Sequence, residues 1–395
     1  MSVGREFDVV LFGATGFTGA LTAEYLAANA PNGCRWAVAG RSTAKLEALR
    51  SRLAGINPAC AGLELLRADV TDPTSLRALA ARSRVVVSTV GPYLAFGEPL
   101  VAACAEEGTD YLDLTGEPEF VDRMYLGYHA RAVATGARLV HCCGFDSIPA
   151  DLGVYYTVQQ LPEDVPITVQ GYVSASASWS AGTMHSAVTA FSRVRKMASI
   201  AAQRRRVEGR PKGRKVHGVK GLPRHEEIVG SWVVPAPVID PQVVLRSARA
   251  LDRYGPDFSY GHNLAVRTLP AAAAIVGGVG AAVLAAQLPP ARRWLLGRME
   301  SGDGPTAEQR EKSWFRVRFV AEGGGRRVLT EVSGGDPGYG ETSKMLGESA
   351  LSLAFDDLPK TAGQVTTAVA MGNRLIDRLK RAGLTFRVVD ERPKV

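Results

Sequence analysis

Cysteine is scarce in this 395-residue chain, and its five copies (Cys34, Cys60, Cys104, Cys142 and Cys143) form no Cys-x-x-Cys and no paired spacing. That argues against a zinc site and a disulfide framework, because the adjacent pair 142/143 could close only through a strained ring, and it points to a reducing compartment. No other metal-binding constellation, no serine nucleophile elbow and no cysteine set as a nucleophile stands out. The opening residues, Met1-Ser2-Val3-Gly4-Arg5-Glu6, run straight into an apolar stretch and leave no room for a signal peptide, so a cytoplasmic protein is expected. Acids are outnumbered by bases, for a net charge of +8, but the excess is local. Between Arg204 and Lys220, eight cationic residues face one acid, Glu208. This segment also holds Gly209, Pro211, Gly213 and Gly218 and has no aromatic residue, so it reads as a mobile surface loop without stacking platforms, and nucleic acid is not expected as a partner. Two readings stay open: a solvated loop, or a docking surface for an acidic carrier protein or for phospholipid at the inner face of a membrane.

The most informative feature present is Gly13-Ala14-Thr15-Gly16-Phe17-Thr18-Gly19, placed directly after the apolar run Val9-Val10-Leu11-Phe12. Gly13 permits a tight turn, Gly16 a close approach of backbone to a pyrophosphate, and Gly19 close packing of the helix that follows. A second strand, Arg35 to Ala39, follows at the spacing of a dinucleotide-binding βαβ unit. It ends in Gly40-Arg41-Ser42, with Lys45 one turn on, rather than in the acid that would hold a ribose and repel a 2′-phosphate. Arg41, Ser42 and Lys45 therefore predict NADPH in preference to NADH. Asp69, closing a third strand, either caps its turn or accepts from the adenine amine.

Strand-like runs at 8–12, 35–39, 63–67, 84–90, 110–114 and 138–143 alternate with helical periodicity at 18–29, 43–53, 74–82, 98–107 and 119–134. The fold class this predicts is α/β: a Rossmann-type, doubly wound parallel sheet over residues 1–150. Ligands of such sheets lie beyond the carboxyl ends of the strands, so Val90, Gly91, Pro92 and Tyr93 should border the nicotinamide. A second α+β domain with an antiparallel sheet is expected over 151–340, from a strand at 166–176, a helix at 182–203 and a hairpin at 313–334. Residues 341–395 supply helices at 341–354 and 365–382 and a strand at 386–389, with the helices packing back on the first domain. The uncharged stretch 271–288 leaves three readings open: a buried or dimer-interface helix in a homo-oligomer, a lipid-contacting segment, or a membrane span.

The glycine loop together with Gly91-Pro92-Tyr93, Tyr111-Leu112-Asp113-Leu114-Thr115-Gly116-Glu117, Cys143-Gly144-Phe145-Asp146-Ser147-Ile148-Pro149 and Gly335-Asp336-Pro337-Gly338-Tyr339, followed by Thr342-Ser343-Lys344-Met345, resembles the saccharopine dehydrogenase-like oxidoreductases, and more closely their trans-acting enoyl reductase subfamily. The resemblance runs from residue 7 to about 390. It implies an NADP-binding Rossmann domain, an interrupted α+β second domain, and enoyl reduction for a modular polyketide synthase that makes phthiocerol-type lipids, with an acyl carrier domain as partner. Two departures are Ala181-Gly182-Thr183 in place of Gly-Gly-Thr and Thr366-Thr367-Ala368 in place of Thr-Pro-Ala.

Enoyl reduction needs a hydrogen-bond donor for the developing oxyanion and a proton for the α-carbon. Tyr93 is the first choice for that role, beside the nicotinamide; His185, Tyr111 and Tyr339 follow. Asp146 and Ser147 read as caps of the helix that Pro149 starts. Two alternatives remain: an imine or oxo reductase on a small amino-acid-like substrate, and a non-catalytic NADPH-binding, lipid-associated scaffold.

Overall fold

The computed structural model describes residues 4–176, 192–209, 211–288 and 305–393. The described residues divide into two compact units, one of 4–145 with 339–379, the other of 146–176, 192–209, 211–288 and 305–338 with 380–393.

The first unit is built on β1 (Phe7–Phe12), β2 (Trp36–Gly40), β3 (Glu64–Arg67), β4 (Ser83–Ser88), β5 (Asp110–Asp113) and β6 (Arg138–Val140). Every residue of β1 is buried, so the strand is covered on both faces, which is why its sequence is a continuous apolar run. The sheet is parallel throughout, in the order β6-β5-β4-β1-β2-β3, so the chain reverses direction across the sheet between β1 and β4. Such a reversal opens a crevice at the carboxyl ends of the two strands. Helices α1 (Phe17–Asn29), α2 (Thr43–Ile56), α3 (Pro73–Arg82), the short α4 (Tyr93–Phe96), α5 (Glu98–Glu107) and α6 (Pro118–Thr135) link the strands.

The second unit begins with α7 (Ile148–Val158) and β7 (Ile167–Ser176). It continues through α8 (Val194–Glu208), β8 (Lys215–Gly218), β9 (Arg224–Glu226), β10 (Ser231–Pro235), α9 (Asp240–Ala250), β11 (Asp257–Val266), α10 (Leu269–Gln287) and α11 (Ala307–Glu311) to the hairpin β12 (Trp314–Gly323) and β13 (Arg326–Gly334). The sheet is mixed rather than purely antiparallel: β11 lies parallel to β7 and β8, while β12 pairs antiparallel with both β7 and β13. Helix α7 lies on β12 and β13; a Cβ at Gly153 would stand 2.3 Å from the Phe319 ring, so glycine lets helix and sheet meet.

The C-terminal segment is shared. Helix α12 (Gly340–Phe355) packs on α1, β1, β4 and β5 of the first unit, where Tyr25 donates to Glu348 at 2.6 Å. The helix expected over 365–382 is broken into a seventh parallel strand, β14 (Gly363–Val365) beside β6, then α13 (Thr367–Ala370) and α14 (Gly372–Arg381). Gly372 breaks it with a φ of 47°, and Thr366 caps α13 through a bond from the Val369 amide, without the proline of the related pattern. The final strand, β15 (Thr385–Pro393), joins β13 in the second unit, so 341–395 is not a separate body.

Two further expectations are corrected. The basic segment is not one loop: Arg204, Arg205 and Arg206 lie on α8, Arg204 is buried against Glu208, Arg214 pairs with Asp252, and Lys215 starts β8. The helix expected over 182–203 is described from Val194 onward, and its earlier part lies outside the described residues. Helix α10 covers most of the uncharged stretch but buries only Ala272 and Ala286, so it is not a core helix of the described chain. By length and composition alone it could cross a membrane.

Candidate cofactor and active site

The turn after β1 sits at the mouth of the β1/β4 crevice. Gly13 has a φ of 86°, a conformation that favours glycine, and a Cβ there would also meet the Val90 side chain at 2.7 Å. At Gly19 a Cβ would stand 2.2 Å from the Gly13 carbonyl oxygen, so the first turn of α1 lies flush on the loop. Gly16 differs. A Cβ there meets nothing of the protein nearer than 3.5 Å, and the residue is exposed beside the exposed Thr15. The protein's own packing does not demand a glycine at this position, whereas a pyrophosphate laid on the loop does. No side chain caps α1 and no acid lies in its first turn, which leaves its positive end to an anion. Phe17 and Thr18 open this helix, and the Phe17 ring meets Tyr339 edge-on, with centroids 4.7 Å apart. Thr89 ties the loop to β4 by donating to the Phe12 and Gly13 carbonyls.

At the end of β2, Arg41 and Lys45 are exposed and, among the described residues, neither has an ion-pair partner. The Ser42 hydroxyl caps α2 by accepting from the Lys45 amide at 3.4 Å. Asp69 accepts from both the amide and the hydroxyl of Thr71, at 2.9 and 2.8 Å, which holds its carboxyl below the usual range; it caps its turn. Arg41 and Lys45 thus remain available to a 2′-phosphate.

On the other side of the crevice, β4 leads into Val90, the exposed Gly91 and the half-buried Pro92, whose peptide bond to Gly91 is cis. Tyr93 turns inward. Its hydroxyl donates to the Ser88 carbonyl at 2.9 Å and accepts from the Leu114 amide at 3.2 Å, so its one proton is held within the fold. Burial, reinforced by the nearby Asp113 carboxylate, keeps this phenol well above its ordinary pKa. Glu117 receives the Tyr93 and Leu94 amides on its two carboxylate oxygens, at 3.1 and 2.8 Å, and so fixes the start of α4.

Beneath these tips lies a pair that the sequence did not single out. Asp113, at the end of β5, and His141, just past β6, are buried and joined at 2.6 Å through Nδ1. Asp113 also accepts from the Thr115 and Cys142 amides, and Cys142 is held at a φ of 64°, unusual for a side-chain-bearing residue. The pair therefore sets the path of the chain leaving β6, whose Phe145 amide donates to the Thr342 hydroxyl on α12 at 3.1 Å. Tyr111 is fully buried and edge-on to His141. Expected caps are absent at α7: neither Asp146 nor Ser147 bonds its first amides, and the Ser147 hydroxyl donates to the Asp146 carbonyl instead. His185 and the Ala181-Gly182-Thr183 run lie outside the described residues. Among the described residues no group of three or more His, Cys, Asp or Glu is arranged to hold a metal.

The saccharopine dehydrogenase NADP binding domain family matches residues 9–140, which span the glycine loop and β1 to β6. A Mycobacterium tuberculosis protein named as a trans-acting enoyl reductase is 39% identical, over 97% of this chain and 97% of its own. The trans-acting enoyl reductase of Mycobacterium ulcerans is 35% identical, over 97% and 98%. Among solved structures, apo saccharopine dehydrogenase (L-Glu forming) from Saccharomyces cerevisiae superposes with a TM-score of 0.56 at 13% identity, over 97% of this chain and 99% of that one, a likeness of fold.

Proposed function

Since this chain belongs to the family of the trans-acting enoyl reductases, within the saccharopine dehydrogenase-like oxidoreductases, and is an NADP-dependent oxidoreductase, we propose that it reduces the C=C bond of enoyl thioesters, with NADPH preferred over NADH. The observation that carries this reading is the end-to-end match to relatives of that name, with the cofactor loop intact in sequence and geometry. Bound on this loop, NADPH would supply the reducing equivalent. The chain's own residues would hold it: the Gly13–Gly19 turn and the start of α1 would take the pyrophosphate, Arg41, Ser42 and Lys45 the 2′-phosphate, and Val90, Gly91 and Pro92 would border the nicotinamide.

The substrate of this reading is an acyl chain on the carrier domain of a polyketide synthase, in the making of complex lipids of the phthiocerol type. The exposed bases Arg205, Arg206, Lys212 and Lys215 suit an acidic carrier, and the uncovered face of α10 suits a lipid surface at the cytoplasmic side of a membrane, or a second copy of the chain. The test is to supply NADPH deuterated at its reactive carbon with a trans-2-enoyl thioester on a carrier protein and, in parallel, with an oxo acid and an amino acid that form an imine, and to weigh and fragment the products. One deuterium at the β-carbon supports the reading. Label appearing only in a saccharopine-type product would favour the imine reductase, and label in neither the non-catalytic scaffold.

A further inference from the structure

Helix α10 follows β11 after only Arg267 and Thr268, and the Thr268 side chain caps it by accepting from the Ala271 amide. Its 19 residues carry no charge. A helix that shows one face to water carries polar side chains there, whereas one that is apolar all round belongs in a core or in a membrane. In α10 only Ala272 and Ala286 are buried, where it packs on β10 and β11. Leu269 and Val276 are exposed, as are Leu284 at 71% and Leu288, which closes the helix, at 60%. At about 100° per residue these four side chains fall within a stripe of about 120°, turned away from the two buried alanines. An interfacial helix normally turns a polar face to water; here the sheet covers that side, and every other side is apolar.

The path of the chain shows that α10 does not cross a bilayer. Strands β11 and β12 flank β7, with Leu264 of β11 opposite Val173 and Trp314 of β12 opposite Ser176. The chain therefore leaves the sheet and re-enters it at the same end, two strand spacings or about 10 Å apart. A span would strand the chain on the far side, and a return crossing needs roughly 20 apolar residues. Between Gln287 and Trp314 the sequence holds no such run, but Arg292, Arg293, Arg298, Glu300 and Asp303 instead.

Charge chooses the occupant of the free face. From Arg267 to Met299 there are four arginines and no acid. Arg267 is exposed and has no ion-pair partner among the described residues. A second copy docked through this face by a two-fold axis would set these arginines against their own kind, with no acid of the segment to offset them. Anionic headgroups take them instead. Trp314, 40% exposed, stands at the sheet end from which α10 departs, the place such a ring takes at a membrane boundary. We propose that α10 is an in-plane membrane helix, which seats the face of Leu269, Val276, Leu284 and Leu288 in the surface of an anionic phospholipid bilayer without crossing it. This deepens the functional reading, on which it rests for its purpose, by naming the surface at which a water-insoluble acyl chain is handled; the binding itself needs no turnover.

The test uses the full chain with Cys34, the one cysteine that is not buried, changed to serine. An environment-sensitive nitrobenzoxadiazole dye is placed in turn at Leu269→Cys, Leu284→Cys and Leu288→Cys, and vesicles of phosphatidylcholine, with or without phosphatidylglycerol, are added. Emission should rise and shift to the blue with the anionic vesicles, and Arg267→Ala should weaken that binding roughly fivefold. Dithionite added outside the vesicles should bleach the labels at 269 and 288 alike, since both ends stay on one side. Protection of either end label would mark a span and overturn the proposal. Absence of any response to anionic vesicles would overturn it too, and a dimer that Val276→Glu with Leu284→Glu splits would then assign the face to a second copy. Should the labelled variants not fold, flotation of the wild-type chain with anionic vesicles, and its failure to float with neutral ones, decides the matter. Vesicle binding by a protein that turns over no enoyl thioester would fail the enoyl reading alone; turnover without vesicle binding would fail this proposal alone.

Discussion

Gly19 lies against Gly13 so closely that a Cβ at 19 would stand 2.2 Å from the Gly13 carbonyl oxygen, whereas a Cβ at Gly16 would find nothing of the protein within 3.4 Å. The three glycines of the loop thus answer to different demands. Gly19→Ala should destabilise the chain by about 1–3 kcal/mol, the usual cost of forcing an extra carbon into a packed site. Gly16→Ala should keep the wild-type Tm and weaken NADPH binding by roughly tenfold or more, about 1.4 kcal/mol. Thermal unfolding beside a fluorescence titration of NADPH separates the two.

Arg41 and Lys45 make no ion pair among the described residues, so their removal should cost the fold little. Arg41→Ala should weaken NADPH by roughly 10- to 100-fold, as expected for one charged hydrogen-bonding partner worth about 1.5–3 kcal/mol, and leave NADH nearly unchanged. The ratio of the two dissociation constants is the measurement.

Tyr93→Phe removes a hydroxyl that serves both the Ser88 carbonyl and the Leu114 amide. The expected loss is in stability, about 1–3 kcal/mol for buried groups left unpaired, with kcat per folded molecule within a few-fold of wild type. A large fall in kcat at unchanged Tm would return the phenol to the chemistry.

These three sites show how far the sequence could be read. The continuous apolar β1 and β4, the glycine loop and the missing acid at Arg41 were legible because each depends on residues adjacent in the chain. Asp113 and His141 were not, since they meet only through the pairing of β5 with β6. The direction of the Tyr93 side chain was hidden for the same reason. Strand β14, three residues long, carries no periodicity to read. The basic segment misled because charge masked the continuation, from Arg204 to Glu208, of the helix expected to end at 203, which only Gly209 and Pro211 bring to an end.

Acid should unfold the second unit partly through Glu331. Burial opposes ionisation of this carboxyl, but bonds from Arg318 and Arg387, with Arg316 nearby, win and hold its pKa below 4.5. A carboxyl depressed in the folded state adds stability that is complete above its unfolded pKa and is lost as pH falls through the folded value. Chemical denaturation should therefore show stability declining below about pH 4.5 in wild type, and less steeply in Glu331→Gln, which starts lower.

Val276 and Leu284 on α10 are 46% and 71% exposed. Replacing both by glutamate should leave Tm within about 2 °C, because surface changes rarely exceed 0.5 kcal/mol. The same change should abolish any co-flotation of the full chain with anionic vesicles. Retained flotation would place the lipid contact elsewhere.

The most direct measurement is NADPH oxidation by the purified protein offered a trans-2-enoyl thioester on an acyl carrier protein, with NADH and a saccharopine-type substrate in parallel. The account predicts turnover of the enoyl thioester with NADPH favoured, and loss of that preference in Arg41→Ala. Tight NADPH binding with no turnover of the enoyl thioester, or oxidation driven only by the amino-acid-like substrate, would contradict it.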